Sequence, residues 1–293
     1  MQVPHAIDAA KALERRFHDQ YAALLPREER VPDAPRELLE GRRVLVTGAD
    51  GFLGRRIADR LDELGATTYL TDLHDLDVTD AEVTDRTIRQ LRPEFVIHLA
   101  AMKHAPLGEI HPLETNAVNV VGTYHVVEGA KAVGVEPGRL VFGSTCKAAA
   151  PETVYGATKL LGERIALRAG YSAIRYANVL GSTGSVLEIW TGQAAAGASL
   201  SVTECRRYWL TPAEAVGLTL AALGLGHGLY HLDAGEPEPV EDLARRFDPT
   251  ASLEPMPLRQ GDRLVERFLA DGERTTSTSV PHVLRILEAW DAA

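Results

Sequence analysis

The segment STCKAAAPETVYGATK, residues 144–159, carries a tyrosine and a lysine four positions apart, Tyr155 and Lys159. Residues four apart in a helix lie on one face, so the two side chains would lie together. An ammonium group beside a phenol lowers the phenol's pKa from about 10, and a phenolate can then accept a hydroxyl proton near neutral pH. The spacing therefore predicts a pair that takes the proton of an alcohol as the alcohol is oxidised.

A glycine-rich turn precedes this pair in the sequence VLVTGADGFLG, where Gly48, Gly51 and Gly54 join an apolar strand to a helix. Glycines at such a turn let a pyrophosphate approach the N–H groups of the helix N-terminus. Asp72 follows about 20 residues later, the spacing of a carboxylate that binds the ribose hydroxyls of NAD and repels the extra phosphate of NADP. The alternative is that Asp72 is only a polar residue ending a strand.

We therefore predict NAD as the cofactor. Asp77 either approaches the adenine or caps the helix that begins near residue 80. The predicted cofactor-binding set is Gly48, Asp50, Gly51, Phe52, Leu53, Gly54, Asp72, Asp77, Val78, Leu99, Ala100, Ala101, Lys103, Tyr155 and Lys159.

The elements that must position these residues alternate regularly along the chain. Short apolar runs predict strands at 44–47, 68–71, 95–99, 140–142 and 173–176, and helical patterns lie between them at 52–63, 80–91, 114–132 and 155–168. This alternation predicts an α/β fold with a doubly wound parallel sheet of Rossmann type and a smaller C-terminal substrate lobe. The predicted parts are a helix (5–24) and linker within 1–40, a mainly NAD-binding domain at 41–180, and a mainly sugar-nucleotide-binding lobe at 181–293, with some exchange of segments between the last two.

Composition excludes several classes of function. The 293 residues carry a formal net charge of −10, which argues against a nucleic-acid-binding surface. No apolar run approaches the ~20 residues that span a bilayer, and the N-terminus has no apolar signal core, so we expect no membrane association and a cytoplasmic location. The two cysteines, Cys146 and Cys205, belong to no Cys/His cluster, and no metal site is expected.

Four stretches make the chain resemble the extended short-chain dehydrogenase/reductase superfamily, and within it the C5-inverting UDP-N-acetylglucosamine 4,6-dehydratases. They are HLAAMKHAPLGEIHPLETNAVNVVGT (98–123), STCKAAAPETVYGATK (144–159), RYANVLGSTGSVLEIW (175–190) and LRQGDRLVERFLADGE (258–273). The resemblance runs from about residue 42 to about residue 273. It implies a UDP-sugar substrate and a bound nicotinamide that ends each cycle in its starting state.

The resemblance also implies roles for single residues. Lys103 and His104 match a Lys-His pair beside the nicotinamide and the sugar, and Asn178 matches a residue that contacts the nucleotide-sugar. Arg207 and Arg259 match arginines that face the diphosphate, a role suited to a planar bidentate donor. The neighbouring Arg206 is an alternative to Arg207, and the family's Arg in the GSTGS stretch is here Thr183.

The main departure from the family lies just before the tyrosine, where Thr145, Cys146 and Lys147 replace a Thr-Asp-Lys triplet. In the family's reaction the lysine removes the sugar's C5 proton and the aspartic acid assists departure of the 6-hydroxyl. We expect all three residues to be catalytic, with Cys146 exchanging a proton with the sugar. A thiol with neutral Lys147 and a thiolate with charged Lys147 are both workable pairs, and packing alone is the remaining alternative for Cys146.

Three functions are compatible with these residues. The first is NAD-dependent dehydration of a UDP-HexNAc-like substrate, ending at a 4-keto-6-deoxy or a 5,6-ene sugar nucleotide. The second is C4 epimerisation, which needs only Tyr155, Lys159 and NAD. The third is non-catalytic binding of a sugar nucleotide. Lys147 favours dehydration, because an epimerase needs no base at C5. We further expect a homo-oligomer.

Overall fold

The computed structural model describes residues 20–258 and 262–287. Its centre is an eight-stranded sheet in which six neighbouring strands run parallel in the order β10-β5-β4-β3-β1-β2, and β14 and β13 add antiparallel strands beyond β10. The strands of this sheet are β1 Arg43–Thr47, β2 Thr67–Thr71, β3 Phe95–His98, β4 Leu140–Thr145, β5 Ser172–Tyr176, β10 Gly228–Leu232, β13 Arg274–Ser277 and β14 Val283–Leu287. The predicted doubly wound α/β fold is confirmed.

Helices cover both faces of the sheet, as crossover connections between parallel strands require. They are α1 Arg36–Leu39, α2 Phe52–Glu63, α3 Ala81–Leu91, α4 Ala105–Ile110, α5 Pro112–Asn116, α6 Thr123–Ala132, α7 Val154–Arg168, α8 Val186–Ala195, α9 Pro212–Leu225 and α10 Val240–Phe247. A π-helical turn, Ala117–Gly122, joins α5 to α6, and a 3₁₀ turn, Cys146–Ala148, follows β4.

One predicted helix, residues 114–132, is interrupted by the π-helical turn. A side chain on Gly122 would lie 2.6 Å from Val78 Cγ2, so only glycine allows this close approach to the loop after β2. Within the same turn, Asn119 accepts a hydrogen bond from the Met102 N–H at 2.8 Å and donates to the Met102 carbonyl at 3.0 Å. The π turn thus directs a buried amide towards the loop that leaves β3.

A smaller lobe is built from short paired strands and two helices. Its strands are β6 Asn178–Val179, β7 Leu200–Thr203, β8 Arg206–Arg207, β9 Trp209–Leu210, β11 Glu238–Pro239 and β12 Leu253–Met256. The lobe has its own apolar core, which includes Leu187, Trp190 and Cys205. Between its segments the chain returns to the large domain through α9 and β10, so residues after 180 contribute to both parts.

The N-terminal helix predicted at 5–24 falls outside the described residues except for a helical turn at 20–23. The linker predicted to follow that helix within residues 1–40 is held against the body of the protein through Arg27. Arg27 forms an ion pair with the fully buried carboxylate of Glu214 at 2.6 Å and donates to the Ala234 carbonyl at 2.9 Å. Removing Arg27 would leave a buried charge unpaired, so this segment is part of the folded structure.

Candidate active site

A cleft of about 1060 Å³ lies between the carboxyl ends of the parallel strands and the small lobe. Every residue of the predicted cofactor set lines it, as do His104, Asn178 and Arg207 of the predicted substrate set. Thr145 and Lys147 also line the cleft, and Cys146 does not. Arg259 falls outside the described residues, so its predicted role stays a prediction. The topology accounts for this convergence, because ligands of open α/β sheets bind at the carboxyl ends of the strands.

The glycine turn leaves no room for side chains at two of its three positions. Gly48 has a φ of +71°, and a Cβ there would lie 2.6 Å from the Ala100 backbone nitrogen. A Cβ on Gly54 would overlap the Gly48 carbonyl oxygen. Gly51 occupies the N-cap position of α2, and no side chain caps that end of the helix. The turn therefore brings bare backbone and a helix N-terminus to the cleft, which suits a pyrophosphate.

Asp72 follows β2 and lies beside this turn. One carboxylate oxygen accepts a hydrogen bond from the Asp50 N–H at 3.0 Å, and the other accepts from the Leu73 N–H at 2.8 Å. The loop 72–80 that begins with Asp72 contains no Lys or Arg. This end of the cleft is therefore acidic, and the loop offers no lysine or arginine to pair with a 2′-phosphate.

The structure excludes one of the two alternatives for Asp77, the role of helix cap. The cap of α3 is Asp80, whose side chain accepts a hydrogen bond from the Val83 N–H at 3.0 Å. Asp77 instead accepts hydrogen bonds from the backbone and hydroxyl of Thr79 at 2.9 and 2.7 Å. It lines the cleft and is not the helix cap.

Tyr155 lies in the first turn of α7, a helix capped by Thr153, which accepts from the Gly156 N–H at 3.0 Å. Burial raises the pKa of Tyr155, while the charge of Lys147 and a hydrogen bond with Thr145 lower it. The charge of Lys147 therefore favours ionisation of the phenol, the role that the sequence predicted for Lys159.

Lys159 lies one helical turn beyond Tyr155 and is 2% exposed. Its ammonium nitrogen lies 4.1 Å from the centre of the Phe142 ring. Burial lowers the pKa of Lys159 to about 7, and the charge of Glu163 opposes this effect. Burial thus disfavours the charged form of Lys159, and its role beside Tyr155 stays a prediction.

Lys147 is fixed by a carboxylate that comes from far along the chain. Its ammonium donates a 2.8 Å hydrogen bond to Glu266 Oε1, and the Lys147 side chain keeps 27% exposure while that of Glu266 keeps 5%. Burial opposes the charge on Lys147, but Glu266 raises the pKa of Lys147 above its ordinary value. Lys147 is consequently an ammonium ion that faces the cleft, with its counter-charge behind it.

Cys146 does not line the cleft. It is 2% exposed, belongs to the hydrophobic core, and borders a separate cavity of about 20 Å³ together with Glu266. Burial and the charge of Glu266 raise the pKa of the thiol to about 12, although Lys147 acts in the opposite direction. This placement argues against the prediction that Cys146 exchanges a proton with a sugar. Of the alternatives that the sequence left open, it favours packing.

The predicted substrate residues come from two parts of the fold: Lys103 and His104 from the loop that leaves β3, and Asn178 and Arg207 from the strands of the small lobe. Lys103 donates to the Thr183 carbonyl at 3.2 Å, and burial lowers the pKa of Lys103. Asn178 donates to the Tyr208 carbonyl at 3.0 Å and to Glu266 at 2.6 Å. Arg207 is 7% exposed, and its guanidinium donates to the Arg206 and Arg263 carbonyls at 3.1 and 2.7 Å.

Sequence reasoning missed Glu266 and the network that fixes it. Arg175, with no exposed surface, donates to both oxygens of Glu163 and of Glu273 and to the Phe268 carbonyl at 2.8 Å. The network ties the segment after Glu266 to β5 and α7. The only signal was that Glu266 lies within the last of the four stretches that resemble the dehydratases.

Within the ranges that the structure describes, no group of three or more His, Cys, Asp or Glu side chains is arranged to hold a metal ion. In those same ranges, no helix combines the length and the apolar character needed to cross a bilayer.

A family model described as polysaccharide biosynthesis protein matches residues 66–288 of the chain. The chain belongs to this family. Its fold is that of the extended short-chain dehydrogenases/reductases, as the resemblance implied.

Curated relatives have names consistent with this family. The chain is 32% identical over 277 residues to the probable polysaccharide biosynthesis protein EpsC of Bacillus subtilis, covering 80% of this chain and 46% of EpsC. It is 31% identical over 210 residues to the UDP-N-acetylglucosamine 4,6-dehydratase (inverting) of Campylobacter jejuni, covering 67% of this chain and 62% of the relative. The chain thus spans about half the length of EpsC and less than two thirds of the dehydratase.

Solved structures share the fold at lower sequence identity. Pen from Bacillus thuringiensis superposes with a TM-score of 0.75 at 22% identity, covering 85% of this chain and 87% of that one. The UDP-glucose 4-epimerase of Thermus thermophilus, solved with NAD, gives a TM-score of 0.70 at 24% identity, with coverage of 78% and 90%. These similarities establish the fold. The chemistry has to be inferred from the residues of the cleft.

Proposed function

We propose that this protein is an NAD-dependent nucleotide-sugar dehydratase that acts on a UDP-HexNAc-like substrate. The observation that carries the proposal is the convergence of Tyr155, Thr145 and charged Lys147 on one cleft, between the glycine turn and the small lobe. The similarity to inverting UDP-N-acetylglucosamine 4,6-dehydratases at 31% identity supports the same class of substrate.

The residues present fit a dinucleotide. Gly48 and Gly54 shape a cradle that a Cβ would fill, and Asp72 lies beside it to accept hydrogen bonds from ribose hydroxyls. The acidic loop after β2 favours NAD over NADP. The chemistry that NAD supplies when bound is reversible acceptance of a hydride.

Tyr155 accepts the proton of the sugar's C4 hydroxyl during oxidation at C4. Thr145 holds the phenol by a hydrogen bond, and the positive charge of Lys147 stabilises the phenolate that this step requires. Oxidation at C4 makes a ketone, and the ketone acidifies the neighbouring C5 proton.

Lys147 exchanges the protons of a concerted elimination. As the ketone-acidified C5–H bond breaks, its electron pair forms the C5=C6 double bond and expels the 6-hydroxyl, so no positive charge develops at C6. In the same step the Lys147 nitrogen gives one proton to the departing hydroxyl, which leaves as water, and takes the proton from C5. Lys147 ends as the ammonium ion with which it started, so the cycle needs no acid at position 146.

The lobe wall binds the nucleotide part of the substrate in this proposal. Arg207 supplies planar donors for the diphosphate, while Lys103, His104 and Asn178 face the sugar. We retain Arg259 as a second diphosphate contact. The product is a 4-keto-6-deoxy sugar if hydride returns to C6 and a 5,6-ene if it returns to C4.

A second candidate is C4 epimerisation. It is favoured by one observation: the family's carboxylate at position 146 is replaced by a buried thiol, whose pKa is raised to about 12. Relatives named UDP-glucose 4-epimerase, such as that of Rickettsia massiliae at 27% identity, accord with this alternative.

Incubation with UDP-GlcNAc and NAD, followed by mass spectrometry of the nucleotide products, tests the proposal. Dehydration removes the mass of one water from the sugar nucleotide. Epimerisation gives an unchanged mass with a new retention time. Recovery of unaltered substrate from every UDP-sugar offered would reject both functions.

A further inference from the structure

We propose that Glu266 is the positioning residue of this site: it keeps Lys147 charged and aimed at the cleft, and through Lys147 it sets the proton affinity of Tyr155. The inference rests on the proposed function only in taking Tyr155 and Lys147 as the reacting groups. It assigns to a residue 119 positions after Lys147 the negative charge that the triplet lacks at position 146.

The geometry places Glu266 behind Lys147 as seen from the cleft. Glu266 does not line the cleft, whereas Lys147 does. Glu266 Oε1 accepts from the Lys147 ammonium at 2.8 Å and lies 3.4 Å from Arg207 Nε, and Oε2 accepts from Asn178 Nδ2 at 2.6 Å. Both oxygens are therefore occupied by donors that face the cleft, and Glu266 itself does not reach a ligand.

The carboxylate of Glu266 is held in place by the protein itself, without a bound substrate. The Glu266 N–H donates to the Arg206 carbonyl at 3.3 Å, and the Arg206 N–H donates to the Leu264 carbonyl at 2.6 Å. Two residues further on, Arg175 holds the Phe268 carbonyl at 2.8 Å. Since backbone and buried Arg175 fix both sides of Glu266, its side chain is held in place rather than recruited by the ligand.

Several titratable groups face this pair, and their effects must be considered together. On the Lys147 side they are Cys146 and Tyr155, and on the Glu266 side they are Arg207, Asp262, Cys205 and Tyr208. Burial alone would raise the pKa of Glu266, but Lys147 and Arg207 hold it below its ordinary value. The thiol of Cys146 stays protonated, so Glu266 is the negative partner in direct contact with Lys147.

Loss of the negative charge of Glu266 should shift the pKa values of Lys147 and Tyr155 in opposite directions. Without the charge of Glu266, burial lowers the pKa of Lys147, and the amine becomes free at lower pH. A neutral Lys147 no longer stabilises the phenolate, so the pKa of Tyr155 rises and its ionisation moves to higher pH. A residue that served only to stabilise the fold would shift neither group.

Acetylation of lysines by acetic anhydride as a function of pH, read by mass spectrometry of peptides, measures the first effect without any substrate. In Glu266→Gln, the labelling rate of Lys147 at about pH 8 should rise by about tenfold or more, because each pKa unit changes the free-amine fraction tenfold. Glu266→Asp, which keeps the charge, should stay near the parent. Lys131, an exposed lysine paired with Glu128 at 2.9 Å, is the internal control and should not change.

The parent protein alone also decides the point if a variant fails to fold. Lys147 should become reactive at higher pH than Lys131, although it is the more buried amine. The proposal would be overturned if Lys147 became acetylated at the same pH as Lys131 or at a lower pH. An unchanged Lys147 profile in a folded Glu266→Gln protein would overturn it as well.

The pH dependence of NAD reduction on mixing with UDP-GlcNAc measures the second effect. In Glu266→Gln the rising acid limb should move to higher pH, and Glu266→Asp should restore it. An acid limb that stays in place while the Lys147 labelling shifts would overturn the link to Tyr155. If the parent reduces no NAD with any UDP-sugar, the proposed function fails, and the labelling still decides the role of Glu266.

Discussion

The two ends of the cleft are built in different ways. The glycine turn after β1 uses consecutive residues, and its shape follows from the absence of side chains at Gly48 and Gly54. The proton-transfer end joins Lys147 after β4, Asn178 in β6 and Glu266 from the last third of the chain. One end depends on steric exclusion between near neighbours in sequence, the other on charges brought together by the whole fold.

This difference has consequences for substitution. A steric site fails when an atom is added, and it fails together with the fold around it. An electrostatic site fails when a charge is removed, and the fold can survive if the remaining polar groups keep partners. Substitutions at the two ends should therefore separate effects on stability from effects on proton transfer.

The largest expected effect on stability is that of Gly48→Ala. The new Cβ would meet the backbone at Ala100, and the φ of +71° would add strain. We expect a loss of at least about 3 kcal/mol of unfolding free energy and of measurable NAD binding. Chemical denaturation and titration with NAD measure the two losses.

Gly134→Ala is the matched control, since Gly134 has a φ of +78° with no atom within 4 Å of an added Cβ. It should cost only the strain of about 1–2 kcal/mol. Equal losses for Gly48→Ala and Gly134→Ala would show that the close approach to Ala100 does not matter.

Tyr155→Phe tests the other end of the cleft and should spare the fold. The ring remains and only the hydroxyl is lost, so turnover should fall by about 100-fold or more while the thermal midpoint changes little. Tyr124→Phe, at a side chain that is 51% exposed, should leave turnover unchanged. Near-parental turnover of the Tyr155 variant would remove this residue from the mechanism.

Asp72→Ala sharpens the cofactor assignment with a smaller effect. It removes the carboxylate beside Asp50, and NAD binding should weaken by about tenfold while NADP binding weakens less or improves. Asp75→Ala, in the same loop, is the charge-matched control. Equal weakening for both cofactors would contradict the ribose-binding role of Asp72.

The end of the cleft formed by the glycine turn was predictable from the sequence. The strand, glycines and helix of this turn are contiguous, and α2 begins and ends where its apolar pattern predicted, Phe52–Glu63. The five predicted strands were located to within a few residues, because burial on both faces leaves continuous apolar runs in the sequence, whereas β10, β13 and β14 of the same sheet were not predicted. The interruption at Ala117–Gly122 was not visible, since a π turn has no strong pattern of its own.

The proton-transfer end of the cleft was predictable only in part. Tyr155 and Lys147 were identified from the sequence, and Lys159 was predicted to tune the phenol, whereas in the structure the charge of Lys147 also lowers the pKa of Tyr155. The state of Cys146 was left open. The sequence was compatible with a Cys146 thiol beside a neutral Lys147 amine and with a Cys146 thiolate beside a Lys147 ammonium. In the structure Lys147 forms an ion pair with Glu266 at 2.8 Å and burial raises the pKa of the Cys146 thiol, which favours a thiol with an ammonium and places the negative charge on Glu266. No spacing rule links residues 119 positions apart, so this partner needed the tertiary structure.

The smallest expected effect belongs to Cys146→Ser, and this substitution tests the central claim most directly. The claim is that Lys147, held by Glu266, moves the protons of the elimination and that Cys146 only packs. The measurement is the rate at which UDP-GlcNAc loses water, followed by mass spectrometry, in the parent and in Cys146→Ser. We predict rates within about threefold of each other, because serine keeps nearly the same size and no titrating thiol is needed. Suppressed water loss in a folded Cys146→Ser protein that still reduces NAD would contradict the account and return Cys146 to the chemistry.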